Sequence, residues 1–74
     1  MDYRERIGMD PHVMLGKPVV KGTRITVELI LTKLSEGADE KELLEAYPQL
    51  QHEDIMAALS YGAAVISKEE TIAG

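Results

Sequence analysis

Val27, Ile30, Leu31 and Leu34 fall at i, i+3, i+4 and i+7, the spacing that lays one apolar stripe along a helix. Thr26 stands where an N-cap is wanted, Glu28 puts negative charge into the first turn, and Gly37 supplies a left-handed stop. A first helix is expected between them. Asp39 and Glu42 have the spacing of a capping box, Glu40 adds to the favourable charge, and Leu43, Leu44 and Tyr47 form the next stripe. Pro48 ends this second helix after about two turns. A third helix is expected to start near Gln51 or His52, where Asp54 can serve the exposed amides, and to run to about Ile66.

Ahead of these helices the pattern changes. From Ile7 to Thr26, Pro11 and Pro18 discourage helix, Gly8, Gly16 and Gly22 punctuate the chain, and Val19, Val20 and Ile25 favour strand. Lys21-Gly22, between Val20 and Thr23, reads as a tight turn. The expected architecture is a mainly α fold: a short N-terminal β-hairpin arm followed by a three-helix, helix-turn-helix-like unit. One domain of 74 residues accommodates it, with an extended arm over 1–26, the helices over 27–66 and a polar, flexible tail over 67–74.

The third helix is unusual. Ile55, Leu59, Ala63 and Ile66 make one face, while Met56, Ala57, Ala58, Ala64 and Val65 make others apolar too, so it needs cover on more than one side. The small residues Ala57, Ala58, Gly62, Ala63 and Ala64 permit close approach of another backbone. Two coverings are open: a second subunit, meeting Ala57, Ala58, Gly62, Ala63 and Ile66, or the chain's own N-terminal arm. The chain has three Tyr, no Trp and no Phe, so the residues that bury most area are scarce. A core this small supplies only about 3–5 kcal/mol, and with no cysteine there is no disulfide to supplement it. A homodimer or a stable hetero-complex is expected on that ground.

Composition narrows the function. With 45% apolar and 28% charged residues the chain is globular rather than disordered. The apolar run Ile55–Ile66 is broken by Ser60 and Gly62 and falls short of the roughly 18 residues of a membrane span. Met1 leads into Asp2, Arg4, Glu5 and Arg6, unlike a secretory leader, so a cytoplasmic location is expected. Charge is placed unevenly: residues 1–24 hold five bases against three acids, and residues 25–74 hold three bases against ten acids. The net charge of −5 disfavours non-specific attachment to nucleic acid, although a locally basic face remains compatible with it.

Catalytic patterns do not appear. Gly16-Lys17 is followed by Pro18 and lacks the Ser or Thr of a phosphate-binding loop. His12 and His52 have no zinc-ligand spacing, and no thiolate exists to complete a metal site. Glu53 and Asp54 are neighbours, which diverge by about 100° on a helix and do not pair. No serine sits in a nucleophile elbow. The expectation is a protein that is not an enzyme and uses no cofactor.

Two features invite a binding role. Lys21-Gly22-Thr23-Arg24 combines turn amides, a hydroxyl and two cations that can grip a phosphate or a carboxylate; alternatively it is a structural turn whose Arg24 pairs with an acid of the helices. The second and third helices are joined by a short turn, as in a helix-turn-helix, whose reading positions would be Gln51, His52 and Met56. Glu53 and Asp54 would then face phosphates unaccompanied by a base, so a helical corner with no reading role is an equal alternative.

Asp10-Pro11, the run Gly16-Lys17-Pro18-Val19-Val20-Lys21-Gly22-Thr23-Arg24-Ile25, Leu34, Gly37, Tyr47-Pro48-Gln49-Leu50, Asp54-Ile55, Ala57-Ala58-Leu59 and Tyr61 together resemble domain-of-unknown-function family 433. The resemblance runs from Ile7 to Ile66. It implies a short β arm on a homeodomain-like three-helix unit, commonly dimeric and antitoxin-like, similar to VapB proteins and partnered with a PIN-like ribonuclease toxin. On that basis the chain is expected to be a small dimeric antitoxin of a type II toxin-antitoxin pair that also binds operator DNA. Lys17, Lys21 and Arg24 would meet phosphate or toxin carboxylates, and Gln51 and His52 would meet bases. The alternative is an acidic protein-interaction module without DNA binding.

Overall fold

The computed structural model describes residues 2–73, of which 69–73 are described by backbone alone. A 3-10 turn at Tyr3–Glu5 opens the chain and leads into β1 (Ile7–Gly8), which pairs antiparallel with β2 (Val19–Val20). Three helices follow: α1 (Val27–Ser35), α2 (Glu40–Ala46) and α3 (His52–Ala73). The mainly α fold with a small β arm in front is therefore the observed one.

Both ends of α1 and the start of α2 are built as local chemistry requires. The Thr26 hydroxyl accepts from the Leu29 amide at 3.0 Å and starts α1. Gly37, at φ +100°, ends it, with the Gly37 amide donating to the Leu34 carbonyl and the Ala38 amide to that of Lys33, both at 3.1 Å. That reciprocal pair is a Schellman closure. In α2 the Asp39 carboxylate accepts from the Glu42 amide at 2.8 Å and the Glu42 carboxylate from the Asp39 amide at 3.1 Å, a complete capping box.

The arm is more than a hairpin. Register pairs Ile7 with Val20 and Gly8 with Val19. Beyond β2 the chain reverses at Lys21-Gly22, where the Thr23 amide donates to the Val20 carbonyl at 3.0 Å and Gly22 takes φ +80°. It then runs back along the other side of β2, with the Val20 amide donating to the Ile25 carbonyl and the Val27 amide to that of Pro18. Val19 and Val20 are consequently enclosed on both edges and buried.

α3 is the element the others are packed around. The 3-10 turn, β1, α1 and α2 all contact it. Ile30 and Ile55 lie fully buried at the centre of a core completed by Ile7, Val20, Ile25, Val27, Leu43 and Leu50. On the arm side Tyr3 meets Tyr61 edge to face, centroids 5.4 Å apart. On the α1 side Gly62 lies against Leu31, whose Cδ1 would be 3.1 Å from an added Cβ.

Two expectations need correction. Ala57 and Ala58, expected at a subunit interface, are 0% exposed within the single chain, and Gly62 is occupied by Leu31. The small side chains of α3 let the chain's own elements approach, so only Ala63 and Ile66 of that set remain at the surface. The helix also continues to Ala73 rather than ending at about Ile66, and Gly74, the last residue of the tail expected over 67–74, lies outside the described residues. Between Ile66 and Ala73 no glycine or proline interrupts it, and Lys68, Glu69 and Glu70 are good helix formers.

The connection between the strands holds a locally strained stretch. Met14, Leu15 and Gly16 are consecutively left-handed, at φ +49°, +58° and +81°, and Leu15 is 93% exposed. A left-handed non-glycine residue costs about 1–2 kcal/mol, and an exposed Leu recovers little of it by burial. Leu15→Gly is therefore expected to raise stability by about 0.5–1 kcal/mol, the strain relief less the added entropy of the unfolded chain. Urea denaturation of the two proteins measures it, and an unchanged or lower midpoint would contradict the account.

Candidate partner-binding groove

Folding places the basic residues of the N-terminal third in different situations. Arg4 pairs with Asp2 at 3.1 Å on the exposed first turn. The hydrogen bonds from the Arg4 side chain and amide hold the Asp2 carboxyl below its ordinary pKa, and the bond to Asp2 raises that of Arg4. Lys17 reaches Glu28 on α1 at 3.0 Å. Arg6 turns inward to Asp54 at 2.9 Å. Lys21 and Arg24 have no ion pair among the described residues.

These two free cations line one open groove of about 680 Å³, together with Gly8, Met9, Asp10, Val13, Val19, Gly22, Thr23 and Gln49. The turn after β2 forms one side and residues 9–13 the other. Lys21 is seated by Gly8: a Cβ there would lie 3.3 Å from the lysine Cγ, so the absent side chain makes room for the stem across β1. Asp10, the acid in the lining, accepts from the His12 amide at 2.9 Å and fixes the bend of the loop. Thr23 is similarly used: its hydroxyl donates to the Val20 carbonyl at 2.8 Å and accepts from the Ile25 amide at 3.0 Å. Its hydroxyl serves the turn, leaving the two cations, the second Asp10 carboxylate oxygen and the Gln49 side chain as the groove's principal polar groups.

The start of α3 is arranged differently. Asp54, 5% exposed, accepts from the Gln51 amide through one carboxylate oxygen and from Arg6 through the other, each at 2.9 Å. The Gln51 side chain lies at 3.5 Å from Arg6, and His52 Nδ1 meets a Glu40 carboxylate oxygen at 2.7 Å. Gln51 and His52, expected beside bases, are thus drawn toward neighbouring side chains, with Glu53 also exposed there. They do not share the groove with Lys21 and Arg24, and neither does Lys17.

The residues that sequence reasoning missed are Gly8, Met9, Val13 and Gln49 in the groove, and Arg6 with its Asp54 partner. Nothing local marks them, because each acquires its role from a partner distant in the chain. Among the described residues no group of three or more His, Cys, Asp or Glu is placed to hold a metal ion. No described helix is long and apolar enough to cross a membrane.

Comparison with known proteins assigns the family. The family described as a protein of unknown function, DUF433, matches over residues 7–62. The chain belongs to DUF433. A crystal structure of a DUF433 member from Anabaena variabilis superposes with a TM-score of 0.79 at 34% identity, covering 93% of this chain and 69% of that one. Uncharacterized protein y4eO of Sinorhizobium fredii (strain NBRC 101917 / NGR234) is 36% identical over 61 residues, which are 82% of this chain. The match spans 28% of that relative's length. The matched region of the DUF433 chain takes in β1, the groove turn, α1, α2 and the packed part of α3.

The Asp54 carboxylate joins the arm to α3 in this DUF433 chain, so its loss should be felt by the whole fold. Asp54→Ala removes an ion pair, whose Arg6 side is about a third exposed, and the acceptor for the Gln51 amide. A loss of about 2–3 kcal/mol is expected, below the full cost of breaking a buried pair because Arg6 can rehydrate. Chemical denaturation checks it; a change under about 0.5 kcal/mol would mark the pair as incidental.

Proposed function

We propose that the chain is a non-catalytic regulatory module that acts by binding a partner protein, in the manner of an antitoxin that holds a PIN-like ribonuclease toxin. The observation that carries the reading is the convergence of Lys21 and Arg24, unpaired among the described residues, on one groove with apolar walls. Such a surface binds and orients, and the one hydroxyl of its lining, that of Thr23, is taken up by the Val20 carbonyl and the Ile25 amide. Operator DNA is the weaker part of the expectation. The engaged Gln51 and His52, with Glu53 and Asp54 beside them, make the start of α3 a poor approach to phosphates.

The module works as a homodimer in this reading. Leu59, Ala63 and Ile66 follow one another on the outer face of α3, with Ile66 55% exposed, and offer an apolar stripe to a second copy. Sedimentation of the wild type and of Ile66→Asp checks that element, a dimer that becomes a monomer being the expected result.

The functional reading is tested by co-expressing the tagged chain with the product of the neighbouring reading frame. A stable complex that relieves that product's toxicity or nuclease activity is expected. Absence of a complex with either neighbour would remove the antitoxin reading. A gel shift with upstream DNA that survives moderate salt would restore the operator role.

A further inference from the structure

We propose that the groove between residues 9–13 and the Lys21–Arg24 turn is the seat of an acidic, extended segment of the partner protein, one carrying carboxylates between apolar side chains. The proposal rests on the partner-binding reading above and names the chemistry that the groove selects. Lys21 and Arg24 supply the positive charge, and Met9, Val13 and Val19 supply apolar walls on the same groove. The groove's own acid, Asp10, is tied by one oxygen to the His12 amide and offsets one of the two positive charges, so the lining stays net positive by one. An incoming carboxylate therefore finds two cations that have no ion-pair partner among the described residues.

The Lys21 stem and the backbone that carries Arg24 are held in position. The stem of Lys21 lies over Gly8, and its main-chain amide donates to the Arg6 carbonyl at 2.8 Å. Arg24 follows a turn whose hydrogen bonds are closed by Thr23. A guanidinium presents a planar fork that matches a carboxylate, while lysine acts as a point charge beside it.

The same features disfavour a nucleic acid in this groove. A duplex offers closely spaced phosphates, and affinity for it grows with the number of cations that displace counterions. Here the cations of the lining are Lys21 and Arg24, on a chain of net charge −5. A short segment whose carboxylates alternate with leucine-like side chains carries less negative charge than a duplex, meets less of that repulsion, and also uses Met9 and Val13.

Amide NMR spectra of the full chain, titrated with a short capped peptide of alternating leucine and aspartate, test the proposal. Saturable shifts are expected at Gly8, Met9, Lys21, Gly22 and Arg24, with none from the asparagine counterpart of the peptide. Arg24→Gln and Lys21→Gln should each raise the Kd about tenfold while leaving the spectrum of the core unchanged. Equal response to the asparagine peptide, or no response at these amides, overturns the proposal. A stronger response of the same amides to a short DNA duplex would assign the groove to nucleic acid. Their movement on concentrating the protein alone would assign it to a second copy. Peptide binding without any complex with a neighbouring gene product would sink the antitoxin reading and leave the groove assignment standing; the converse result would do the opposite.

Discussion

The structure depends on the two-sided use of one buried carboxylate. Asp54 accepts the Gln51 amide at the start of α3 through one oxygen and the Arg6 guanidinium of the arm through the other. A carboxylate this deeply buried is tolerable only when its oxygens are satisfied, so helix capping and arm docking are coupled. Arg6 in turn passes its main-chain carbonyl to the Lys21 amide, which fixes the hairpin against the turn. Start of helix, docking of arm and placement of the groove are thus links of one chain of bonds.

The second constraint is volume. Without Trp or Phe, the core is assembled from Ile, Val and Leu around Ile30 and Ile55, and dense packing requires short distances between elements. Ala57, Ala58 and Gly62 provide them. The N-terminal arm covers one flank of α3 and the preceding helices another, so most of the apolar excess of that helix is spent inside the chain. Among the described residues, what remains outside is the stripe through Leu59, Ala63 and Ile66, with Val65 also exposed.

The groove's charge is what remains after internal pairing. Of the five bases in residues 1–24, Arg4, Arg6 and Lys17 are engaged by Asp2, Asp54 and Glu28. Lys21 and Arg24 are left, and the turn sets both on one groove. A basic spot on an acidic protein therefore arises from geometry, with no excess of positive charge in the chain as a whole.

The sequence by itself determined the parts whose interactions close within a few residues. Thr26, the Asp39–Glu42 box, the Gly37 stop and the Lys21-Gly22 turn were legible because a cap or a turn is decided by neighbours three or four positions away. Lys21 and Arg24 were legible as two cations at one turn for the same reason. Tertiary structure alone decided that Arg6 meets Asp54, 48 positions distant, that Gly8 seats Lys21, and that Met9, Val13 and Gln49 face the same hollow. It also decided that Ala57 and Ala58 lie inside the chain, since periodicity reports which positions are apolar but not which neighbour covers them. Met14 and Leu15 are left-handed against their own preference, held there by the closure of a loop between paired strands, and no local pattern encodes a constraint imposed from both ends.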